Sequence, residues 1–291
     1  MKFGQVDNPR KVDFTIPPDH PDTAKVLKAG SLKSNDFKVY VGCAKWNKQD
    51  LKNFFPRGVR DELAYYATQF NSIELNATFY RLFPPTTFDK WRKTVPNDFR
   101  FFPKLEQSIS HFRRLNDVAK IVDRNVAHMS RLGDKLEMAF LQMHDNFGPK
   151  DFDRVVDFVE NWTYDVPLAI EFRHTAWYND RKAASKLYDL IEAHGITNVL
   201  VDTAGRRDLM HMRLTTPTAF VRWVGANDPD SDRCALMTGS GKSRNGKRPV
   251  CRNSSSSFIR MKSGNHRRLP HISLSGFNKK IGTDLPIPKT L

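Results

Sequence analysis

One stretch of the chain reads Asn71-Ser-Ile-Glu-Leu-Asn-Ala-Thr-Phe-Tyr-Arg81, and polar residues alternate with apolar ones through most of it. Side chains on a β-strand point alternately to its two faces, so Glu74 and Asn76 would share one face while Ile73 and Leu75 share the other. A carboxylate is seldom buried without a partner or a purpose. The stretch is therefore predicted to be a core strand that carries polar groups into a site.

The segments around this strand alternate between strand and helix patterns. Strands are predicted at residues 39–44, 72–79, 100–106, 136–144, 168–173, 198–202 and 219–224. Helices are predicted at residues 61–70, 86–94, 116–132, 150–162 and 181–194, with a short one near 23–29. Regular alternation is typical of a parallel sheet. Seven such units fit an α/β fold of the TIM-type (β/α)8 barrel class better than an open doubly wound sheet, and no Gly-x-Gly-x-x-Gly motif follows the first strand.

The expected eighth unit is missing from its place in this pattern. Residues 234–275 contain three Lys and six Arg but no Asp or Glu, and their Gly- and Ser-rich runs show no periodicity. The last helix and strand of the barrel are therefore predicted to be disrupted. The chain divides into an N-terminal arm (1–37), a barrel domain with units one to seven (38–233), an aberrant basic low-complexity segment (234–275) and a C-terminal tail (276–291).

A shifted reading frame would explain the aberrant segment. Read from the third base of each codon, residues 236–247 can encode Asp-Asp-Trp-Val-Arg-Lys-Ile-Lys-Glu-Trp-Lys, an amphipathic helix. The same offset over residues 254–262 can encode Phe-Phe-Ile-Leu-His-Gln-Asn-Glu, a buried strand with a polar end. These would be the missing helix and strand. The alternative is a natural flexible tail.

Composition limits the classes of function. The formal net charge of +15 favours nucleic-acid binding at first sight. However, the 47 Lys and Arg less the nine in residues 234–275 leave 38, against 32 Asp and Glu, so that support is weak. No apolar run approaches the roughly 18 residues of a membrane span, no apolar signal region opens the chain, and the three cysteines lack metal-type spacing. The protein is predicted to be cytoplasmic, without a cofactor or a membrane partner.

Polar side chains fall where the predicted strands end, and in a parallel barrel the catalytic groups lie at those carboxyl ends. Glu74 and Glu171 would form an acid–base pair if their environments separate their pKa values. His111 would assist as a proton carrier, and Lys104 would stabilise negative charge. The residues predicted to bind a small polar or anionic substrate are Asn76, Tyr80, Arg81, Gln142, Arg173, Asp202 and Arg222. Hydrolase or lyase chemistry is favoured.

Other interpretations of these residues stay open. Glu74 could pair with Arg173, and Glu171 with Arg222, in buried ion pairs that have no catalytic role. A metal site built from the two carboxylates and a histidine has no supporting ligand spacing. A non-catalytic barrel that binds nucleic acid or a small molecule is the alternative function.

Several motifs together resemble a known family. They are Val41-Gly-Cys-Ala-Lys-Trp46, the stretch from Asn71 to Arg81, Ile109-Ser-His111, Gly133-Asp-Lys-Leu136 with Leu141-Gln142, Ala169-Ile-Glu-Phe-Arg173 with Trp177, and Phe220-Val-Arg222. In this order the chain resembles the domain-of-unknown-function 72 family, also called YecE-like, over roughly residues 39–226. The resemblance implies a TIM-type barrel without an established biochemical activity. The family's Trp-containing last helix and its polar-ended final strand have no counterpart in residues 234–275.

Overall fold

The computed structural model describes residues 6–29, 38–51, 53–226 and 256–261, the last of these as backbone. It is an α/β structure with parallel strands. The strands β1 to β9 are Lys38–Cys43, Ser72–Leu75, Arg100–Pro103, Ala139–Gln142, Leu168–Glu171, Thr197–Asn198, Leu200–Thr203, Ala219–Val224 and Ser256–Met261. The helices α1 to α8 are Thr23–Ala29, Glu62–Ala67, Ala77–Tyr80, Pro85–Thr94, Ala119–Met129, Phe152–Glu160, Ala176–Asn179 and Arg181–Ala193. Shorter turns cover Pro9–Lys11, Ser130–Lys135, Pro149–Asp151 and Ala204–Leu209, and Ser108–Phe112 forms a π-turn.

Aspartate side chains cap the N-termini of two of these helices. The Asp61 carboxylate accepts a hydrogen bond from the backbone of Ala64 at the start of α2. Asp180 does the same for α8, where it accepts from Lys182 and Ala183. Aspartate at this position satisfies backbone N–H groups that have no partner inside the helix. Every predicted strand and helix before residue 227 is found, with bounds shifted by a few residues, and the strand predicted at 198–202 is divided at Val199 into β6 and β7.

All strand pairings between the described residues are parallel. One sheet has the order β3-β2-β1-β9-β8-β7, and the other has the order β4-β5-β6. Glu74 lies opposite Phe102 in the first sheet, and Gln142 lies opposite Glu171 in the second. Because the strands run in one direction, their carboxyl ends share one edge. The polar residues at those ends are therefore brought close together.

The two sheets approach each other at both ends. Only Val199 separates β6, which pairs with β5, from β7, which pairs with β8. On the other side, parallel bridges join Phe101 to Leu136 and Lys104 to Phe140, between the β3 and β4 regions. Strands of one sheet thus continue into contact with strands of the other.

Strand β9 corrects the expectation that the last strand is disrupted. Ser256–Met261 pairs with β1 from Lys38 to Cys43 and with β8 from Ala219 to Arg222. Without it, β1 and β8 would each present a row of unpaired peptide groups, and backbone pairing does not depend on side-chain periodicity. The predicted last helix lies outside the described residues.

Strand β2 is shorter than predicted. It ends at Leu75, and the chain then turns into the short helix α3 instead of continuing to Phe79. The Asn76 N–H donates to the Glu74 carbonyl at 2.9 Å, and the Thr78 hydroxyl lies 2.7 Å from the carbonyl of Lys104 on the next strand. The turn therefore rests on β3, and it moves the following residues away from the strand direction.

The core has two apolar layers, one on each face of the strands. The larger layer lies between strands and helices and includes Ile73 and Leu75. The smaller layer lies on the other face and contains alternate strand residues, among them Tyr40, Phe102, Phe140, Ala169, Val201 and Phe220. The ring centroid of Phe220 lies 5.6 Å from that of Phe102 and 5.5 Å from that of Phe140. Residues two positions further along these strands point the same way, so they lie above this layer at the carboxyl ends.

The N-terminal arm lies against the rest of the chain. The Thr23 hydroxyl donates to the Met212 carbonyl at 2.8 Å, and Leu27 is buried. Arg207 donates to the Thr15 carbonyl at 2.9 Å. Within the ranges that the structure describes, no helix is both long enough and apolar enough to cross a membrane.

Candidate active site

Arg222 is the centre of a buried charged cluster. It lies two residues after Phe220 on β8, so its side chain shares the face of the smaller apolar layer. Its Nε and Nη2 donate to the two carboxylate oxygens of Glu74 at 3.0 and 3.1 Å, and its Nη1 donates to Glu171. All three side chains are buried. One guanidinium therefore binds two carboxylates that come from strands β2 and β5.

Amide side chains extend the cluster at both ends. Gln142 Nε2 donates to Glu171 Oε1 at 2.7 Å, and Gln142 Oε1 accepts from Lys104 Nζ at 2.7 Å. At the other end, Asn76 Nδ2 donates to Glu74 Oε1 at 2.7 Å. A continuous hydrogen-bonded chain thus runs from Lys104 to Asn76, and it contains two positive and two negative charges. Since these charges balance, the cluster buries no net charge.

The electrostatics of the cluster favour its ionised form. Burial alone would raise the pKa of Glu171, but Arg222, Arg173 and the hydrogen bond from Gln142 outweigh burial and lower that pKa. Burial opposes the charge of Arg222, yet the two glutamates raise its pKa. Glu171 is therefore a carboxylate at neutral pH, suited to binding a cation; its lowered pKa makes it a weak base, and without a proton it cannot act as a general acid.

A second layer of charges lies nearer to solvent. Arg173 Nε lies 3.7 Å from Glu171 Oε1 and 2.9 Å from Asp145 Oδ1. Arg206 Nη1 lies 3.8 Å from the other oxygen of Asp145, and its Nη2 donates to the Arg173 carbonyl at 3.0 Å. The Asp145 side chain is 49% exposed. This layer therefore connects the buried cluster with the surface.

His111 lies beside the cluster, on the π-turn that follows β3. Its ring packs edge-on against Phe79, with 4.9 Å between centroids, and against His144 at 5.2 Å. The Ser110 hydroxyl lies 2.8 Å from His111 Nδ1 and so fixes the ring. Phe79 also contacts Lys104, whose Nζ lies 3.8 Å from the ring centroid. The histidine and the end of the hydrogen-bonded chain therefore share one aromatic neighbour.

Positive charge surrounds His111. Burial, followed by the charges of Lys104, His144, Arg173 and Arg114, lowers the pKa of His111 to about 4. The imidazole is therefore neutral at pH 7 and can accept a proton. A field made by cations from several chain segments attracts a negatively charged ligand.

Eight of the residues predicted for the site meet in this region: Glu74, Asn76, Lys104, His111, Gln142, Glu171, Arg173 and Arg222. Each comes from the carboxyl end of a strand or from the segment after it. The alternation of side chains along strands is the signal that found most of them.

Three predicted residues do not take part in the hydrogen-bonded chain. Asp202 directly follows Val201, whose side chain belongs to the smaller apolar layer. It therefore faces the other way and forms an ion pair with Arg207. The Arg81 guanidinium lies 4.3 Å from the centroid of Phe83. Tyr80 is displaced by helix α3 and is largely exposed, so neither residue joins the hydrogen-bonded chain.

Sequence reasoning missed Asp145, Arg206 and Arg114. Each lies on a turn, where side-chain alternation gives no direction. Asp145 follows directly after His144 at the end of the β4 region, which is the one signal that could have drawn attention to it. Arg114 lies in a turn with positive φ at Arg114, Leu115 and Asp117, and no sequence pattern indicates this conformation. Among the residues that the structure describes, no group of three or more His, Cys, Asp or Glu is arranged to hold a metal ion.

Comparison with known proteins places the chain in a family. The model of the family described as "Protein of unknown function DUF72" matches residues 40–250. The chain belongs to the DUF72 family. The UPF0759 protein YecE of Escherichia coli is 26% identical over 216 residues, which are 67% of this chain and 77% of YecE. The UPF0759 protein YunF of Bacillus subtilis is 25% identical over 154 residues, 48% of this chain and 52% of YunF.

Solved structures of DUF72 family proteins share the fold. The protein from Enterococcus faecalis superimposes with a TM-score of 0.65 at 16% identity and covers 85% of this chain and 99% of its own. The protein from Thermotoga maritima gives a TM-score of 0.61 at 20% identity, covering 84% of this chain and all of its own. At these identities the likeness concerns the fold alone.

Proposed function

We propose that the chain is an acid–base enzyme of hydrolase or lyase type that acts on a small anionic substrate at the carboxyl ends of its strands. The position of His111 carries the proposal. It is half buried, neutral at pH 7, and subject to the positive charge of Lys104, Arg173 and Arg114. Neutral proton acceptors beside fixed cations suit proton removal from an anion, because the cations stabilise the negative charge that develops.

The proposal includes a closed TIM-type barrel as the scaffold. The parallel bridges between the β3 and β4 regions support closure on one side, and the single residue between β6 and β7 supports it on the other. The binding of Arg222 to carboxylates from β2 and β5 also fits an interior enclosed by strands. A crystal structure tests this arrangement: a continuous ring of eight strands is expected, and an open edge between Pro103 and Ala139 would contradict it.

Each polar group has a role in the proposed reaction. His111 accepts the proton, and its pKa rises when an anion binds nearby, because an opposite charge favours the protonated ring. Lys104 and Arg173 bind the anionic group. Glu171 and Glu74 serve as ionised carboxylates that fix Arg222 and, through it, the electrostatics of the site. Glu171 also contacts the second layer of charges, through Arg173.

Turnover measurements on site variants test the catalytic proposal. The full chain is incubated with a mixture of small phosphorylated and carboxylated metabolites, and their consumption is followed by mass spectrometry. We expect the wild type to consume a substrate that His111→Gln does not consume. His194→Gln, a control at the exposed end of α8, should consume it as the wild type does. The acid–base proposal fails if His111→Gln, Glu74→Gln and Glu171→Gln all leave every detected turnover unchanged.

A non-catalytic binding barrel is the second candidate. Its supporting observation is that every carboxylate oxygen of Glu74 and Glu171 has a polar partner. A fully satisfied network rigidifies a scaffold without any chemistry. Anion binding without turnover would favour a small-molecule binder. Negligible RNA affinity at low salt would exclude the nucleic-acid form of this alternative, because phosphate contacts are strongest at low salt.

A further inference from the structure

Two exposed aromatic side chains flank the candidate site. Tyr80 is 69% exposed and Phe112 is 73% exposed, and among the described residues they are the large hydrophobic side chains that face solvent. Tyr80 ends helix α3 after strand β2. Phe112 ends the π-turn after strand β3. Both therefore lie at the carboxyl ends of neighbouring strands, on the side of the molecule that holds the charged cluster.

The two segments that carry these rings are packed together. The Phe79 ring contacts the Tyr80 ring at 5.2 Å and the His111 ring at 4.9 Å between centroids. Gln107 Nε2 donates to the Tyr80 carbonyl at 3.5 Å. Phe112 follows His111 directly in the chain. The segments that carry the two exposed rings therefore both adjoin the proposed proton acceptor, one through Phe79 and the other through the chain itself.

The backbone that presents Phe112 is held in an uncommon conformation. A π-turn is rare and occurs frequently at functional sites. The turn after it has φ of 48° at Arg114 and 66° at Leu115, a left-handed conformation that non-glycine residues rarely adopt. The Leu115 N–H donates to the Ile109 carbonyl at 2.9 Å and closes the turn. This segment is therefore fixed in a shape that keeps an aromatic ring in solvent.

Exposure of these rings next to a field of positive charge points to a ligand with two parts. Aromatic rings bind flat apolar groups by stacking, and a ring exposed to water gains from such a partner. Lys104, Arg173 and Arg114 supply the attraction for negative charge. An anion without a ring would use only the cations and leave both aromatic side chains in water.

We infer that the substrate is a small molecule in which a planar ring adjoins the anionic group, and that Tyr80 and Phe112 contact the ring while Lys104 and Arg173 bind the anion. The inference rests on the proposed function and names the substrate class of that site. Tyr80 and Phe112 determine specificity in this arrangement, because they favour anions that carry a planar ring over anions that lack one.

Matched pairs of probes test this inference by calorimetry on the full chain. The pairs are phenyl phosphate with inorganic phosphate, and adenosine 5′-monophosphate with ribose 5-phosphate. The ring-bearing member of at least one pair is expected to bind about tenfold more tightly, equivalent to roughly 1.4 kcal/mol. Tyr80→Ala and Phe112→Ala should remove that difference while leaving the affinity for the ring-free member unchanged. Tyr80→Phe and Phe112→Tyr, which keep a ring, should preserve it.

The outcomes separate this inference from the function on which it rests. Equal affinity for both members of each pair, with binding that is lost in Lys104→Met, overturns the inference and leaves the proposed anion site intact. Binding of none of the four probes contradicts both. Binding of a single-stranded RNA that depends on Tyr80 and Phe112, with no small probe bound, also overturns the inference. Because both aromatic side chains are exposed, their variants should fold as the wild type does.

Discussion

At the scale of single residues, Arg222 makes the buried cluster possible. Two ionised carboxylates cannot share a buried region unless a cation lies between them, because they would repel each other without the screening of water. The bidentate contact with Glu74 uses two of the guanidinium N–H groups, and the contact with Glu171 uses another. Lysine offers no planar fork of this kind.

Replacing Arg222 with Met should destabilise the fold by about 3–5 kcal/mol, because it leaves Glu74 and Glu171 buried without their cation. The unfolding free energy in urea at pH 7 measures the loss. Arg131→Met is the matched control, since Arg131 pairs with Asp89 at the surface and such pairs contribute less than about 1 kcal/mol. Equal losses in the two variants would contradict a structural role for the buried pair.

His211 makes stability depend on pH. Its ring lies 4.4 Å from that of Tyr178, and its Nδ1 accepts from the Arg213 N–H at 3.3 Å. Burial lowers the pKa of His211 from 6.5 to about 4, against a hydrogen bond to Val199 that raises it. The unfolded chain therefore binds a proton before the folded chain does as the pH falls.

The free energy of unfolding should accordingly be highest above pH 6.5 and fall as the pH drops from 6.5 towards about 4. His211 alone contributes a decrease on the order of 3 kcal/mol, and His111 acts in the same direction. Urea unfolding at several pH values measures the slope. In His211→Gln the slope over this window should be clearly smaller, and an unchanged slope would refute the assignment.

At the scale of elements, β1, β2 and α2 meet at one tight contact. Gly42 lies opposite Ser72 in the parallel pair, and a Cβ at Gly42 would overlap the Ser72 carbonyl. The Tyr66 hydroxyl on α2 accepts from the Cys43 N–H at 2.6 Å and donates to the Ser72 carbonyl at 3.0 Å. One hydroxyl therefore ties the helix to both strands, and the absence of a side chain at Gly42 permits the strands to approach.

Gly42→Ala should destabilise the protein by about 1–3 kcal/mol, because the new methyl group must displace backbone. Thermal and urea unfolding measure the effect. Gly148→Ala is a suitable control, since a Cβ there would lie 3.4 Å from the His174 ring, a distance close to ordinary contact. A control as destabilised as Gly42→Ala would show that the close approach of β1 and β2 is not the cause.

Side-chain alternation explains how much of the site could be predicted from sequence. It placed Glu74, Glu171 and Arg222 on one face, because strand residues two apart share a direction. It failed for Asp202, whose position relative to Val201 puts it on the opposite face. It gave no information about the turns that carry Arg114 and Asp145. The helical turn after Leu75 also escaped prediction, because Asn76 to Phe79 continues the strand pattern in sequence.

At the scale of the whole molecule, β9 lies between β1 and β8 and pairs with both. A proline within β9 should therefore be severely destabilising, because it removes a backbone N–H from a strand paired on both sides. Phe258, opposite Tyr40 and Phe220, is the position to change. Phe258→Pro should lower the unfolding midpoint strongly or cause aggregation, while Phe258→Leu, which keeps the N–H, should not. Similar stability in both variants would exclude a central position for β9.

The nucleotide sequence of the gene tests the shifted-frame hypothesis for residues 234–275 directly. We expect the shifted frame to be open and to encode the amphipathic helix over residues 236–247 and the apolar strand over 254–262. Stop codons in that frame would contradict the hypothesis. Backbone pairing of Ser256–Met261 is compatible both with a shifted frame and with a natural sequence in this segment, because it does not depend on side chains.

The place of β9 between β1 and β8 sets a condition on how the protein can be made. A ribosome releases the chain from its N-terminus at about 5–20 residues per second. Strand β1 therefore waits on the order of tens of seconds for its neighbour on one side, because residues 256–261 emerge late. During that time the edge of β1 is open to pairing with other chains. Production of the protein should therefore be sensitive to the speed of translation and to the supply of chaperones, even where the finished fold is stable.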